Sequence, residues 1–111
     1  MLAAACALHQ INLLSVQNSL QVIGKLQGHS DIINTCVFTT EERKMLISVS
    51  QDRTLRIWDM RTKSQKKKPS ISSIAIAVDI NKVETHFATG HKNGQIKLWS
   101  ISDFKEACKP V

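Results

Sequence analysis

Two stretches of the chain alternate polar and apolar side chains and end on a tryptophan. Thr54-Leu55-Arg56-Ile57 leads into Trp58, and Gln95-Ile96-Lys97-Leu98 leads into Trp99. A period of two is the mark of a half-buried β-strand. Each stretch follows a turn, Gln51-Asp52-Arg53 in one case and Lys92-Asn93-Gly94 in the other. Asn-Gly is a tight-hairpin signal, because both residues tolerate positive φ. Before the turns stand Met45–Ser50 and His86–Thr89, which read as the partner strands. Earlier still, Ile32–Phe38 and Ile71–Ile80 are more continuously apolar, as strands covered on both faces are.

The pattern is therefore a repeat. Residues 45–59 superimpose on residues 86–100, and the tryptophans stand 41 positions apart. That spacing falls within the roughly 40–45 residues of a four-stranded propeller blade. Upstream, residues 2–26 form a weaker copy: Leu2–Ala7 as a second strand, Gln10–Val16 as a third with Leu14 at the tryptophan position, and Gln21–Leu26 as an outer strand. Gln17-Asn18-Ser19 reads as a turn. The alanines also admit a helix over Leu2–Val16, but Leu14-Ser15-Val16 keeps the repeat register and favours strands.

Gly28-His29, followed by a strand, a hairpin and Trp58-Asp59, resembles the Gly-His to Trp-Asp signature of WD repeats, and the resemblance covers roughly Gln21 to Asp103. It implies an all-β fold, an incomplete WD-repeat β-propeller of about ten antiparallel strands in three partial blades. The expected organisation is a partial blade over residues 1–28 and the best-matched repeat over 29–70 with a basic linker at 61–69. A second repeat over 71–103 would lack an outer strand, because it ends near Asp103, and a tail would occupy 104–111. In the linker, Thr62–Pro69 makes a poor strand, since Pro69 and dense charge are tolerated only at a sheet edge. Three partial blades do not close a ring of four to eight. The chain is then a fragment of a longer propeller protein, a short form of one, or a module that self-associates.

By the same resemblance, His29, Ser48, Asp52 and Trp58 form a structural tetrad: carboxylate to imidazole, imidazole to hydroxyl, hydroxyl to indole. Such a chain satisfies each polar group that it buries. In the second repeat Thr89, Asn93 and Trp99 match in part, with Asn93 for the turn aspartate, Ser100 after the tryptophan and no Gly-His ahead. His29, Ser48 and Asp52 are also the residue types of a hydrolase triad, but no nucleophile elbow accompanies them. The residues expected to meet partners are Ser30 and Asp31 after the histidine and Gln51 and Arg53 at the turn, arginine being enriched at interface hot spots.

Hydrophobic residues make up 42% of the 111, enough to bury a core, and the formal charge is +6. Much of that charge lies in one tract, Arg61, Lys63, Lys66, Lys67 and Lys68. It reads as a solvated loop, or as a phosphate-contacting patch without aromatic residues for base stacking. Cys6, Cys36 and Cys108 are far apart and in no paired spacing, so reduced thiols in an intracellular, cytoplasmic or nuclear protein are expected, without zinc. The apolar opening Leu2–Leu8 has no basic residue ahead of it, unlike a secretory leader, and no apolar run is long enough for a membrane helix. No catalytic site, cofactor or metal is expected. The expected partners are other proteins, with self-association through open strand edges and nucleic acid as lesser alternatives and no membrane.

Overall fold

The computed structural model describes residues 2–15, 21–38, 45–62, 64–69, 71, 73–81, 86–101 and 106–108. Among these, eleven strands form three antiparallel sheets. The first holds β1 (Leu2–Ala7), β2 (Gln10–Ser15) and β3 (Gln21–Gln27) in that order. The second runs β4 (Ile33–Phe38), β5 (Met45–Ser50), β6 (Leu55–Asp59) and β7 (Ser64–Lys67). The third runs β8 (Ala75–Ile80), β9 (His86–His91), β10 (Ile96–Ser100) and β11 (Glu106–Cys108). The sheets stack as successive blades, with β1 packed against β4, and β8 against β4 and β5.

Residues 2–15 are two paired strands rather than a helix, with Leu2 opposite Ser15 and Ala7 opposite Gln10. The expected turn at Gln17–Ser19 lies outside the described residues. In the third sheet the innermost strand starts at Ala75, not at Ile71. The loop before it is tied down where Lys92 N donates to the Ile74 carbonyl at 2.8 Å. Two outer strands depart from expectation. Ser64–Lys67 does form β7, pairing with β6 across a bulge between Ile57 and Trp58. It is short, bulged, lysine-bearing and exposed along its whole length, the features by which an edge strand avoids pairing with other chains. The third sheet also has an outer strand, because β11 pairs with β10 at Leu98–Cys108 and Trp99–Glu106.

Alternation sorts the core into two layers. Leu46 and Trp58 face the first sheet, in a cluster with Ile11, Leu13, Leu26, Ile33, Phe38 and Met60. Ile47, Val49, Leu55 and Ile57 face the third sheet, meeting Ala75, Phe87 and Trp99. β5 is thus covered on both sides, and Leu46 through Ser50 are all buried. One pair of positions recurs in each blade, three and one residues before the tryptophan or its leucine equivalent. Ile11 and Leu13 face the second sheet, and Leu55 and Ile57 the third. Their counterparts Ile96 and Leu98 remain 70% and 36% exposed.

Candidate functional site

The polar centre of the second sheet is built across three elements. Strand alternation puts Ser48 on β5 and Trp58 on β6 on the same face, and the loop ahead of β4 lays His29 over them. Gly28 makes that passage feasible, since a Cβ there would lie 2.6 Å from Arg56 Nη1 and 3.1 Å from Trp58 Cη2. Arg56 is held by Nε donating to Thr54 Oγ1 at 3.2 Å and Nη1 donating to Gln65 Oε1 at 2.7 Å.

Trp58 Nε1 donates to Ser48 Oγ at 2.9 Å. Ser48 Oγ and His29 Nε2 are 2.7 Å apart, and His29 Nδ1 lies 2.9 Å from Asp52 Oδ2. A carboxylate only accepts, so the imidazole proton sits on Nδ1 and Nε2 accepts from the serine hydroxyl. Asp52 also accepts from the backbone N–H of Ser30 and of Thr54, each at 2.9 Å, and from the Thr54 hydroxyl. All four of the carboxylate's acceptor positions are filled.

Burial holds the His29 imidazole below its ordinary 6.5 by disfavouring the cation, against the opposite pull of Asp52 and with help from Arg56. For Asp52, burial pushes upward, but the hydrogen bonds from Thr54, His29 and Ser30 outweigh it. They hold the carboxyl at about 2, down from 3.8. In the folded protein this is a neutral imidazole beside a full carboxylate.

The third sheet builds a different network from the same chemistry. Trp99 Nε1 donates to Thr89 Oγ1 at 3.0 Å, and Thr89 Oγ1 lies 2.8 Å from His91 Nε2. His91 Nδ1 meets the Ser73 carbonyl at 3.1 Å and the Ser73 hydroxyl at 3.0 Å. Asn93, expected at the turn-carboxylate position, is not part of it. Its side chain accepts from Gln95 N at 3.0 Å and donates to Gln95 Oε1 at 3.0 Å. The sequence reading missed His91 and Ser73. The signal for His91 was there, because a period of two puts Phe87, Thr89 and His91 on one face of β9.

These networks fix the turns beside them. Ser50 Oγ donates to the Ile32 carbonyl at 2.8 Å and accepts from Asp52 N at 3.1 Å, joining the turn to the histidine loop. On the rim, Ser30 and Asp31 are exposed, Gln51 is half-buried, and Arg53 is exposed with φ +66°. Its counterpart in the third sheet is Gly94, with φ +88°. A cleft of about 340 Å³ lies between the two turns, lined by Arg53, Ser73, Ile74, Lys92 and Asn93. The basic tract is elsewhere: Arg61 in a turn, Lys66 and Lys67 on β7, and Lys68 after it, all exposed. Lys63 lies outside the described residues. Among the described residues no group of three or more His, Cys, Asp or Glu could hold a metal ion, and no helix is long and apolar enough to cross a membrane.

Residues 20–59 and 62–100 match the family model described as WD domain, G-beta repeat. The chain is 31% identical over 97 residues to Periodic tryptophan protein 2 of Saccharomyces cerevisiae, covering 86% of this chain and 10% of that protein. Over 97 residues it is 28% identical to WD repeat-containing protein 37 of Homo sapiens, covering 83% of this chain and 18% of the relative. Nucleoporin Nup37 of Mus musculus is 38% identical over 77 residues, covering 68% of this chain and 23% of that protein. The chain thus spans between a tenth and a quarter of the curated relatives it matches.

Proposed function

The chain belongs to the WD domain, G-beta repeat family, and from that premise we propose that it is a non-catalytic scaffold on which other proteins assemble. One observation carries this reading: the polar residues that could be mistaken for a catalytic triad are spent on holding the blade. Ser48 is fully buried, with its hydroxyl between the Trp58 indole and the His29 ring. A nucleophile needs a path to substrate and a free base, and this hydroxyl has neither. What the network offers instead is a rigid rim bearing Ser30, Asp31, Gln51 and Arg53, on a fold whose functions reside in surface loops.

The blades act as part of a larger propeller, in keeping with the exposed Ile96 and Leu98 and the small share of each relative that is matched. Its place of work is intracellular, cytoplasmic or nuclear. The absence of any paired cysteine spacing suits that, as does the similarity to a nucleoporin. Affinity capture with quantitative mass spectrometry tests the scaffold reading on three proteins: the wild type, Arg53→Ala and Trp58→Ala. Arg53→Ala should lose partners while keeping the wild-type circular dichroism and protease resistance, whereas Trp58→Ala should lose both. If Arg53→Ala unfolds with Trp58→Ala, or keeps every partner, the rim is not the interface.

A second reading, an RNA- or DNA-associated factor, draws on the exposed Arg61, Lys66, Lys67 and Lys68. Binding by that tract would weaken steeply between about 50 and 200 mM salt. Salt-insensitive binding, or none, removes it.

A further inference from the structure

The cleft between the turns of the second and third sheets has a composition that the rim residues alone did not suggest. Arg53 lines it from one blade, and Lys92 and Asn93 from the next, with Ser73 and the apolar Ile74 completing the lining. Among the described residues, neither the Arg53 nor the Lys92 side chain is paired. The acids close in sequence are turned to other tasks. Asp52 accepts from His29, Ser30 and Thr54, and Asp31 Oδ1 accepts from Ile32 N on its own loop at 2.7 Å. Two exposed cations line one small cleft, an arrangement that favours an incoming anion.

The backbone adds an independent observation. Arg53 sits at φ +66°, a region that disfavours side chains other than Gly and Asn, where the equivalent turn uses Gly94. Non-glycine residues reach this region uncommonly, and held there they cluster at functional sites as well as in turns such as that of Leu8, at φ +57°. Its guanidinium is a planar fork matched to a carboxylate.

We propose that this cleft binds a carboxylate, the side chain of a glutamate or aspartate in an extended acidic segment of a partner protein. Arg53 takes the carboxylate through its fork, Lys92 supplies the second charge, and Ile74 packs on the methylenes beside it. The proposal rests on the scaffold reading and names the chemistry of its partner. The net charge of +6 favours the encounter from a distance.

The test is fluorescence anisotropy with the full chain and three labelled probes: a peptide with two adjacent glutamates flanked by glycine and serine, the same peptide with glutamines, and oligouridine. The expected result is binding of the glutamate peptide, at least tenfold weaker binding of the glutamine peptide, and at least a tenfold loss in both Arg53→Gly and Lys92→Ala. Arg53→Gly is the decisive variant, because it removes the guanidinium while relieving the turn, so lost binding cannot be ascribed to unfolding. Its melting temperature should equal or exceed that of the wild type. Equal binding of the glutamine peptide, unchanged binding by Arg53→Gly, or no peptide binding at all overturns the proposal. So does oligouridine displacing the glutamate peptide from the wild type but not binding Arg53→Gly, which gives the cleft to nucleic-acid phosphate. Partner capture that survives in both variants overturns the carboxylate site and leaves the scaffold standing.

Discussion

Thr89 Oγ1 and His91 Nε2 lie 2.8 Å apart, two residues from each other on a single strand. In the neighbouring blade the same hydroxyl-to-imidazole contact, Ser48 to His29, spans 19 positions and two elements. The third sheet has no Gly-His ahead of it, yet its buried indole and hydroxyl are satisfied because His91 projects from the strand itself. Its Nδ1 proton then finds the Ser73 carbonyl where His29 finds a carboxylate. A buried donor needs an acceptor of the right geometry, and the chain can supply that acceptor from more than one place.

If both networks carry weight, breaking either hydroxyl should cost similar stability. Ser48→Ala strands the Trp58 N–H and the His29 Nε2, while Thr89→Val strands the Trp99 N–H and the His91 Nε2. With about 1–3 kcal/mol for each of the two orphaned groups, either variant should lose roughly 2–6 kcal/mol. Urea denaturation at constant m-value reads this directly. A much smaller loss in Thr89→Val would mean that His91 only fills space.

The turn residues separate the two blades. Asp52→Asn replaces an acceptor of four hydrogen bonds with a group that carries its own N–H donors, and should cost about 1–3 kcal/mol. Asn93→Asp restores the residue type expected at that turn. Because Asn93 faces Gln95 rather than His91, the change should stay within about 0.5 kcal/mol. A gain of a full kcal/mol in thermal unfolding would show that residue 93 can be recruited to His91 after all.

Acid should act in two stages. His29 titrates below 6.5 in the folded protein, so above that pH neither state is protonated and its contribution is intact. Below it the unfolded chain takes up the proton first, and stability falls by up to about 1.4 kcal/mol per pH unit until the folded value is crossed. Asp52 contributes in full above 3.8 and loses its contribution as pH falls from there to about 2. Melting temperatures across pH 8 to 3 should therefore decline from about 6.5 downward. His29→Gln should flatten the upper part of that decline and keep a lower part, made shallower because His29 also helps to hold Asp52 low. An unchanged upper slope in the variant would show that His29 is not its source.

The strands β6 and β10 were legible because alternation, turn chemistry and a tryptophan at fixed spacing agree there, β4 and β5 because apolar runs precede the turn, and the second-sheet tetrad through the resemblance to WD repeats. The outer strands β7 and β11 were not. Ser64-Gln65-Lys66-Lys67 has no apolar face to bury, so its strand character comes from pairing with β6 and leaves no hydrophobic trace. Glu106–Cys108 is too short to show a period. Asn93 matches the turn aspartate by position in the repeat, but its amide is engaged by Gln95, a local pairing that position in a repeat does not reveal.

The register of the blades makes the sharpest packing prediction. Leu55 and Ile96 hold the same position three residues before their tryptophans, opposite Val49 and Gly90 respectively, but one is fully buried and the other 70% exposed. Leu55→Ala should leave a cavity between the second and third sheets and cost about 2–5 kcal/mol. Ile96→Ala removes side-chain atoms that remain largely in water and should change stability by about 0.5 kcal/mol or less. What Ile96 should affect is association, because with Ile76 and Leu98 it adds to the exposed apolar surface of the third sheet. Static light scattering against concentration should then show Ile96→Lys less self-associated than the wild type at an unchanged melting temperature. A large loss of stability in Ile96→Lys would mean that this face is already covered in solution, and that the third blade depends on whatever covers it.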